Sequence, residues 1–132
     1  MKALSLHPYW AMKFLIGEKS VECRSWKTSY RGDILICASA KKELGCISGM
    51  GLLIGRLVDI VPFEKKHLAD SCMDELPEKP SYAWIFDDFR VIYPIPIKGK
   101  LSLFEVDVPL QILPDNITGE EISNIFNPLI AV

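Results

Sequence analysis

The long apolar run from Met50 to Phe63 limits the fold of this chain more than any other segment. Two glycines, Gly51 and Gly55, interrupt it, and glycines inside a strand mark bulges, bends or close backbone approaches. A long strand that bends in this way belongs to a strongly curved sheet rather than a flat one. We therefore expect the run to be a strand of a small bent sheet or barrel.

Further apolar or alternating segments predict additional strands. Glu22 to Trp26 lies in the alternating stretch SVECRSW, and Trp84 and Phe86 share one face of another strand, where core packing is the default. The remaining strands are expected over 33–39, 82–86, 90–97 and 101–108, with Asp87-Asp88 as the turn between the two in the middle. Roughly five to seven strands with short helices between them are typical of the α+β class.

Three short helices are expected between or after these strands. Pro8 suits the first turn of a helix over 8–16, and Gly17 stands where a left-handed cap belongs. A charged surface helix is expected over 64–74. Thr118 and Glu121 have the spacing of a capping box, which predicts a short C-terminal helix.

Length and charge limit the classes of function. With 132 residues the chain has the length of one domain, so we expect residues 1–132 to form a single unit and not a two-domain enzyme. Its 15 Lys and Arg against 17 Asp and Glu give a net charge of −2. Such a chain lacks the diffuse positive field of a non-specific duplex binder, so any nucleic-acid binding must come from a local site.

The cysteines predict neither a metal site nor a cofactor. The chain has 4 of them without a CxxC pair, and only His7 and His67 could join them as ligands. Two of them lie in apolar runs, where a reduced thiol behaves as a small hydrophobe, so we expect a reducing, cytoplasmic setting. No signal-peptide pattern or bilayer-length apolar run is visible, so no membrane partner is expected.

The segment from Gly17 to Gly32 mixes charged and aromatic residues within an apolar half of the chain. If its first part is a strand, Val21 and Cys23 face the core, while Glu22, Arg24 and Trp26 line the other face with Lys19 at its mouth. A carboxylate between two cations stays ionised and can accept hydrogen bonds from a base edge or orient a catalytic lysine. Trp26 would offer a stacking surface.

Simpler interpretations stay open for each of these residues. Glu22 and Arg24 also fit a surface ion pair, and Trp26 also fits a core position. Arg31 either belongs to a turn or contacts phosphate, and Lys41 and Lys42 are either a solvated strand end or a second phosphate contact. His7, just before a helix, fits a cap or a packed residue better than a catalytic base.

Several ordered motifs resemble those of the ASCH domain, the activating signal cointegrator homology family. The resemblance covers roughly residues 3–108 and leaves 109–132 as a C-terminal extension. The motifs are Leu4-Ser5-Leu6-His7-Pro8 followed by Trp10-Ala11, then Gly17, Lys19, Glu22 and Arg24 with Ser25-Trp26, then Tyr30-Arg31-Gly32, Ile36 and Ala38 to Lys42, the strand Gly51 to Gly55, Tyr82-Ala83-Trp84, and Pro96-Ile97-Lys98-Gly99.

This resemblance implies a PUA-like β-barrel with a helix beside a ligand cleft, and a role in binding RNA, DNA or a modified nucleoside there. The cleft residues carried over are Lys19, Glu22 and Arg24, which Trp26, Arg31 and Lys41 join by proximity. Gly17, Gly32 and Gly99 are expected to have structural roles. The leading hypothesis is a small module that binds single-stranded or modified nucleic acid, with base recognition by Lys19, Glu22 and Arg24 and stacking on Trp26.

An enzyme that acts on a small amide or phosphodiester in the same cleft is the alternative. The family includes 4-acetylcytidine amidohydrolases, which use a lysine, a threonine three residues later and a distant glutamate; other bacterial relatives are described as ribonucleases. Lys19 matches the lysine, but Glu22 stands at the threonine position. Lys19 and Glu22 would then be the catalytic residues. A third hypothesis is a protein-interaction module that kept the fold without the site.

Overall fold

The computed structural model describes all 132 residues and contains one six-stranded mixed sheet with three short helices. The strands are β1 (Lys2–Leu6), β2 (Val21–Arg24), β3 (Gly32–Ala38), β4 (Met50–Pro62), β5 (Tyr82–Pro96) and β6 (Phe104–Glu105). Their order across the sheet is β2-β5-β4-β3-β1-β6. Only β1 and β3 pair in parallel. The prediction of a mixed α+β architecture is confirmed.

The apolar run that begins at Met50 is the long strand β4, and it is bent as predicted. Its pairing with β5 shifts register in three places, between Gly51 and Leu53, between Ile54 and Arg56, and between Leu57 and Asp59. Each irregularity adds local twist and curvature. The outer strands β2 and β6 do not pair with each other, so strand pairing leaves the sheet open and does not close it into a barrel.

Three strand predictions are wrong in their bounds. The segments expected over 82–86 and 90–97 form one continuous strand, β5, because Asp88 takes a left-handed conformation (φ 50°) that absorbs the expected turn as an irregularity within the strand. The strand expected over 101–108 is reduced to β6, two residues that pair with Lys2 and Ala3 at the edge of the sheet.

The helices are α1 (Pro8–Leu15), α2 (Leu68–Ser71) and α3 (Gly119–Phe126). Helix α1 ends near the expected residue, and Gly17 follows it with φ +83°. Helix α3 begins as predicted, with the Thr118 hydroxyl accepting a hydrogen bond from the Glu121 amide. The helix expected over 64–74 is wrong in extent: a 3-10 turn over Lys65–His67 leads into the single turn α2, which ends where Cys72 turns left-handed.

The core forms two clusters of buried side chains. The larger contains Trp84, Phe86 and Phe14 of α1, and it includes Phe126 from the C-terminal helix. The smaller packs around Leu35 and Ile92. None of the helices is long and apolar enough to span a membrane. All four cysteines are unbonded, and the cytoplasmic location stays a prediction.

Candidate functional site

A cavity of about 700 Å³ opens where β1 runs into α1 and where the edge strand β2 meets two loops. One loop follows β3 and the other follows β5. A polar and charged set of side chains lines it together with a few apolar ones. The lining residues are Ser5, Leu6, His7, Trp10, Lys19, Glu22, Cys23, Arg24, Ser39, Ala40, Met73, Lys98, Gly99, Lys100 and Leu101. The structure therefore brings together three of the predicted cleft residues, Lys19, Glu22 and Arg24.

Glu22 lies at the centre of the charged part of this cavity. Strand β2 pairs it with Trp84 of β5, and its side chain is only 8% exposed. Its carboxylate is 3.3 Å from the Lys19 ammonium through one oxygen and 3.0 Å from Arg24 Nε through the other. Because Glu22 is buried, the interpretation of Glu22 and Arg24 as a surface ion pair does not hold.

Lys19 lies in the buried part of the cavity lining rather than at the mouth, which corrects the predicted position. Its side chain is 1% exposed, and Nζ donates a 2.7 Å hydrogen bond to the carbonyl of Ser71 in α2. The ammonium also lies 4.7 Å from the centre of the Trp10 ring. Burial lowers the pKa of Lys19, and the charge and hydrogen bonding of Glu22 oppose that effect.

Arg24 links the carboxylate to the end of β1. Its Nη2 donates a 3.0 Å hydrogen bond to the Ser5 carbonyl. Its buried Nε is close to Glu22 but not aligned for a hydrogen bond, and it has no other partner. A carboxylate has about four lone-pair positions, so contacts to two cations leave Glu22 able to accept further hydrogen bonds. The site thus presents a carboxylate acceptor that two cationic side chains hold in a fixed orientation.

The mouth of the cavity carries two lysines, Lys98 and Lys100, which flank Gly99. Neither lysine takes part in an ion pair. A β-carbon added at Gly99 would come within 2.8 Å of Ser5 Cβ and closer still to Ser5 Oγ, so only glycine lets this loop pack against β1. The predicted structural role of Gly99 therefore has a steric basis.

The other predicted site residues lie outside the cavity lining. Trp26 packs edge-on against Trp84 at 4.8 Å between ring centres, and its carbonyl accepts a hydrogen bond from the Trp84 indole. Strand β2 ends at Arg24, so the predicted alternation does not continue to Trp26. Arg31 donates to the carbonyls of Thr28 and Tyr30, and Lys41 is exposed one residue beyond Ala40. Binding roles for these three stay predictions.

The two remaining predicted glycines have local roles beside the site. Gly17 takes φ +83° just after the C-cap residue of α1, the left-handed position at which a helix commonly ends. Gly32 takes φ +125° at the start of β3, where a β-carbon would meet the Tyr30 hydroxyl at 3.1 Å. Both conformations disfavour side chains.

Sequence reasoning misses several lining residues, above all Trp10, Lys98 and Lys100. The helical spacing of Trp10 predicts a core position, and Lys98-Gly99-Lys100 has the composition of a simple turn. His7 also lines the cavity, with no side-chain cap on α1. A signal for His7 and Trp10 is present in the sequence, since His7 directly precedes α1 and Trp10 lies in its first turn, so both lie close to the end of β1.

Comparison with known proteins gives a family and a fold. The model of the ASCH domain family matches residues 4–98. The structure is similar to that of ASCH from Zymomonas mobilis, at 17% identity and a TM-score of 0.61, over 99% of this chain and 96% of that one. A tyrosine-to-phenylalanine variant of the Zymomonas protein gives 19% identity and a TM-score of 0.60, over 80% and 89%. No curated protein matches the chain. At these identities the structural likeness concerns the fold alone.

Proposed function

This chain belongs to the ASCH domain family, and we propose that it binds one base of a single-stranded or modified nucleic acid, or the corresponding nucleoside, in the cavity lined by Lys19, Glu22 and Arg24. The open sheet with its flanking helix fits a PUA-like fold of the kind that the resemblance implies.

The buried carboxylate of Glu22 is the observation that carries this proposal. Contacts at 3.3 Å to Lys19 and 3.0 Å to Arg24 hold its two oxygens in place. Such an acceptor pairs with the exocyclic amino group or ring N–H of a base, as when Asp or Glu accepts from the cytosine amino group. A base that enters the cavity would exchange its water contacts for this charge-assisted hydrogen bond.

The aromatic surface of the site comes from Trp10. Its ring lines the cavity, and the Lys19 ammonium lies 4.7 Å from the ring centre, which helps to hold the ring in place. Stacking on an aromatic ring needs only the π-face of a base, so it tolerates different bases while Glu22 reads the edge. The proposal therefore assigns to Trp10 the stacking role that the sequence predicts for Trp26.

The local charge of the cavity also favours a nucleic-acid ligand. Four of its lining side chains are cationic (Lys19, Arg24, Lys98 and Lys100) and Glu22 is the single carboxylate, whereas the whole chain has a net charge of −2. The positive potential is thus concentrated at one site. This arrangement suits a single strand entering a cleft and does not suit broad duplex binding.

Fluorescence anisotropy with labelled single-stranded RNA and DNA oligomers at low salt tests the proposal. We expect binding by the wild type, and an affinity about tenfold or more weaker in Glu22→Gln, because a good base-edge contact is worth about 1–3 kcal/mol. The matched control is Glu78→Gln, an exposed carboxylate outside the cavity. Equal affinity in wild type and Glu22→Gln, or no binding of any oligomer or nucleoside, would overturn the proposal.

A hydrolase that uses Lys19 is the second candidate. It is favoured by one observation: Lys19 lines the cavity 3.3 Å from Glu22, and burial lowers its pKa, which makes proton loss easier for a group that is to act as base or nucleophile. A mass-spectrometric time course with 4-acetylcytidine, comparing wild type with Lys19→Ala, tests it. Turnover that disappears in the variant supports the hydrolase. Absence of turnover in both rejects the amidohydrolase for the free nucleoside.

A further inference from the structure

We propose that the ligand of this cavity is phosphorylated, and that Lys98 and Lys100 at the mouth bind its phosphate while its base lies against Glu22. This inference rests on the proposed function and adds the class of ligand: a nucleotide unit, either free or within a single strand, in place of a bare nucleoside. The phosphate would be the feature that decides affinity, and the base edge the feature that decides selectivity.

The first support is the unpaired state of the two lysines. Some lysines of this chain have an anionic partner nearby, such as Lys2 with Glu105 at 2.8 Å and Lys13 with Glu18 at 2.7 Å, whereas exposed lysines such as Lys65 have none. Lys98 and Lys100 have none either, and, unlike Lys65, both line the cavity. The one carboxylate of the lining, Glu22, is already engaged by Lys19 and Arg24. An anion at the mouth would meet two free ammonium groups and no competing carboxylate.

The second support is the way the loop that carries these lysines is held. Gly99 packs against the side chain of Ser5 so closely that a β-carbon would lie 2.8 Å from Ser5 Cβ. The carbonyl of the same Ser5 accepts the 3.0 Å hydrogen bond from Arg24. Ile97, just before the loop, donates a 3.0 Å backbone hydrogen bond to Gly49. The loop that carries Lys98 and Lys100 and the charged group around Glu22 are therefore both held against one residue, Ser5. The backbone thus sets the distance between a phosphate subsite and a base subsite.

Isothermal titration calorimetry tests this with the four ribonucleosides, their 5′-monophosphates and a short single-stranded RNA. Wild type should bind at least one monophosphate about tenfold or more tightly than its nucleoside. Lys98→Gln/Lys100→Gln should remove that preference, so that the monophosphate binds about as weakly as its nucleoside. The matched control is Lys65→Gln/Lys79→Gln, two exposed lysines outside the cavity that carry no ion pair.

The source of the phosphate is read from the same titrations. A monophosphate that binds as tightly as the oligomer supports a free nucleotide. An oligomer that binds more tightly supports a strand, and its salt slope should then fall by about 0.7 for each lysine that no longer neutralises a phosphate. Equal affinity for nucleoside and monophosphate, unchanged in the double lysine variant, overturns this inference and leaves base recognition standing. No binding of any ligand overturns the proposed function itself.

Discussion

Lys19 and Glu22 form an ion pair that is almost completely withdrawn from water, with side chains 1% and 8% exposed. Removing one partner of such a pair leaves an uncompensated buried charge, which costs far more than the pair gains in stability. The complete pair is therefore expected to stabilise this part of the folded cavity. In the proposed function, the same carboxylate also accepts the hydrogen bond from a base.

Replacing Lys19 by methionine should destabilise the protein by about 3 kcal/mol, because Glu22 loses one of its two cations and the Ser71 carbonyl loses its donor. Urea unfolding measures this. Lys13→Met, which removes an exposed lysine paired with Glu18, should leave the unfolding midpoint nearly unchanged. Equal midpoints for the two variants would show that the Lys19–Glu22 pair contributes no more to stability than the Lys13–Glu18 pair.

Replacing Gly99 by alanine should reduce the free energy of binding of a phosphorylated ligand by more than it reduces the free energy of unfolding. The added β-carbon would collide with Ser5 and push the loop carrying Lys98 and Lys100 away from the cavity. Gly119→Ala, where the added carbon meets nothing within 4 Å, is the control and should bind normally. The check is the affinity for a nucleotide monophosphate; unchanged affinity in Gly99→Ala would count against the loop's role.

Residue types and spacing are enough to predict that Glu22 and Arg24 act together, because they are two apart on one strand. They cannot predict that Lys19 is buried. That depends on α2, a single turn far along the chain, which places the Ser71 carbonyl over the ammonium. The predicted continuation of the strand face to Trp26 fails for a similar reason, since β2 ends at Arg24 and the Trp26 ring packs against Trp84, the core position that the sequence also allows.

At the scale of elements, ion pairs between charged side chains connect β3, β4 and β5. Asp33 of β3 pairs with Arg90 of β5 across β4, and Arg56 of β4 pairs with Asp87 of β5 at 2.8 Å. Hydrogen bonds from Arg90 lower the pKa of Asp33, partly opposed by burial. These pairs lie at the irregular part of β5, where Asp88 departs from regular pairing.

Asp33→Asn should cost stability at pH 6 and much less at pH 3. A carboxyl with a lowered folded pKa contributes stability above its unfolded pKa of about 3.9, and this contribution is lost as the pH falls through the folded value. Urea unfolding of wild type and variant at several pH values measures the difference. Asp74→Asn, an exposed carboxyl without an ion pair, is the control. A difference between wild type and Asp33→Asn that stays constant with pH would contradict this account.

Two of the three irregularities of β4, at Gly51 and Gly55, are predictable from glycines inside an apolar run, whereas the third, between Leu57 and Asp59, involves no glycine. The continuity of β5 is not predictable from the sequence, because Asp87-Asp88 has the composition of a turn. Pairing with the neighbouring strands makes this pair of residues an irregularity within one strand. The boundaries of the short helices are equally hard to predict from the sequence, because a single turn such as α2 owes its stability to tertiary packing rather than to helix propensity.

At the scale of the whole molecule, the C-terminal residues outside the family match pack into the same core as the rest. Phe126 of α3 belongs to the larger cluster, and backbone hydrogen bonds join Tyr93 to Gln111 at 2.8 Å and Ala131 to Cys46 at 3.0 Å. We propose on this basis that residues 1–132 unfold as one domain.

Phe126→Ala should therefore lower the free energy of unfolding of the whole chain by about 3 kcal/mol, as expected for a buried phenylalanine. Phe126 is only 6% exposed, whereas Ile122 on the same helix is 39% exposed and provides the control. Chemical unfolding followed by tryptophan fluorescence and by circular dichroism should give one shared transition. Two separate transitions would show that the C-terminal segment folds independently.

The three tryptophans offer the most direct test of the central claim, that a base binds in the cavity against Glu22. Trp10 lines the cavity, whereas Trp26 and Trp84 pack against each other outside it. In a ¹H–¹⁵N spectrum titrated with a single-stranded oligomer, the Trp10 indole resonance should shift while those of Trp26 and Trp84 stay in place. Shifts confined to Trp26 and Trp84, or to none of the three at saturation, would contradict the account.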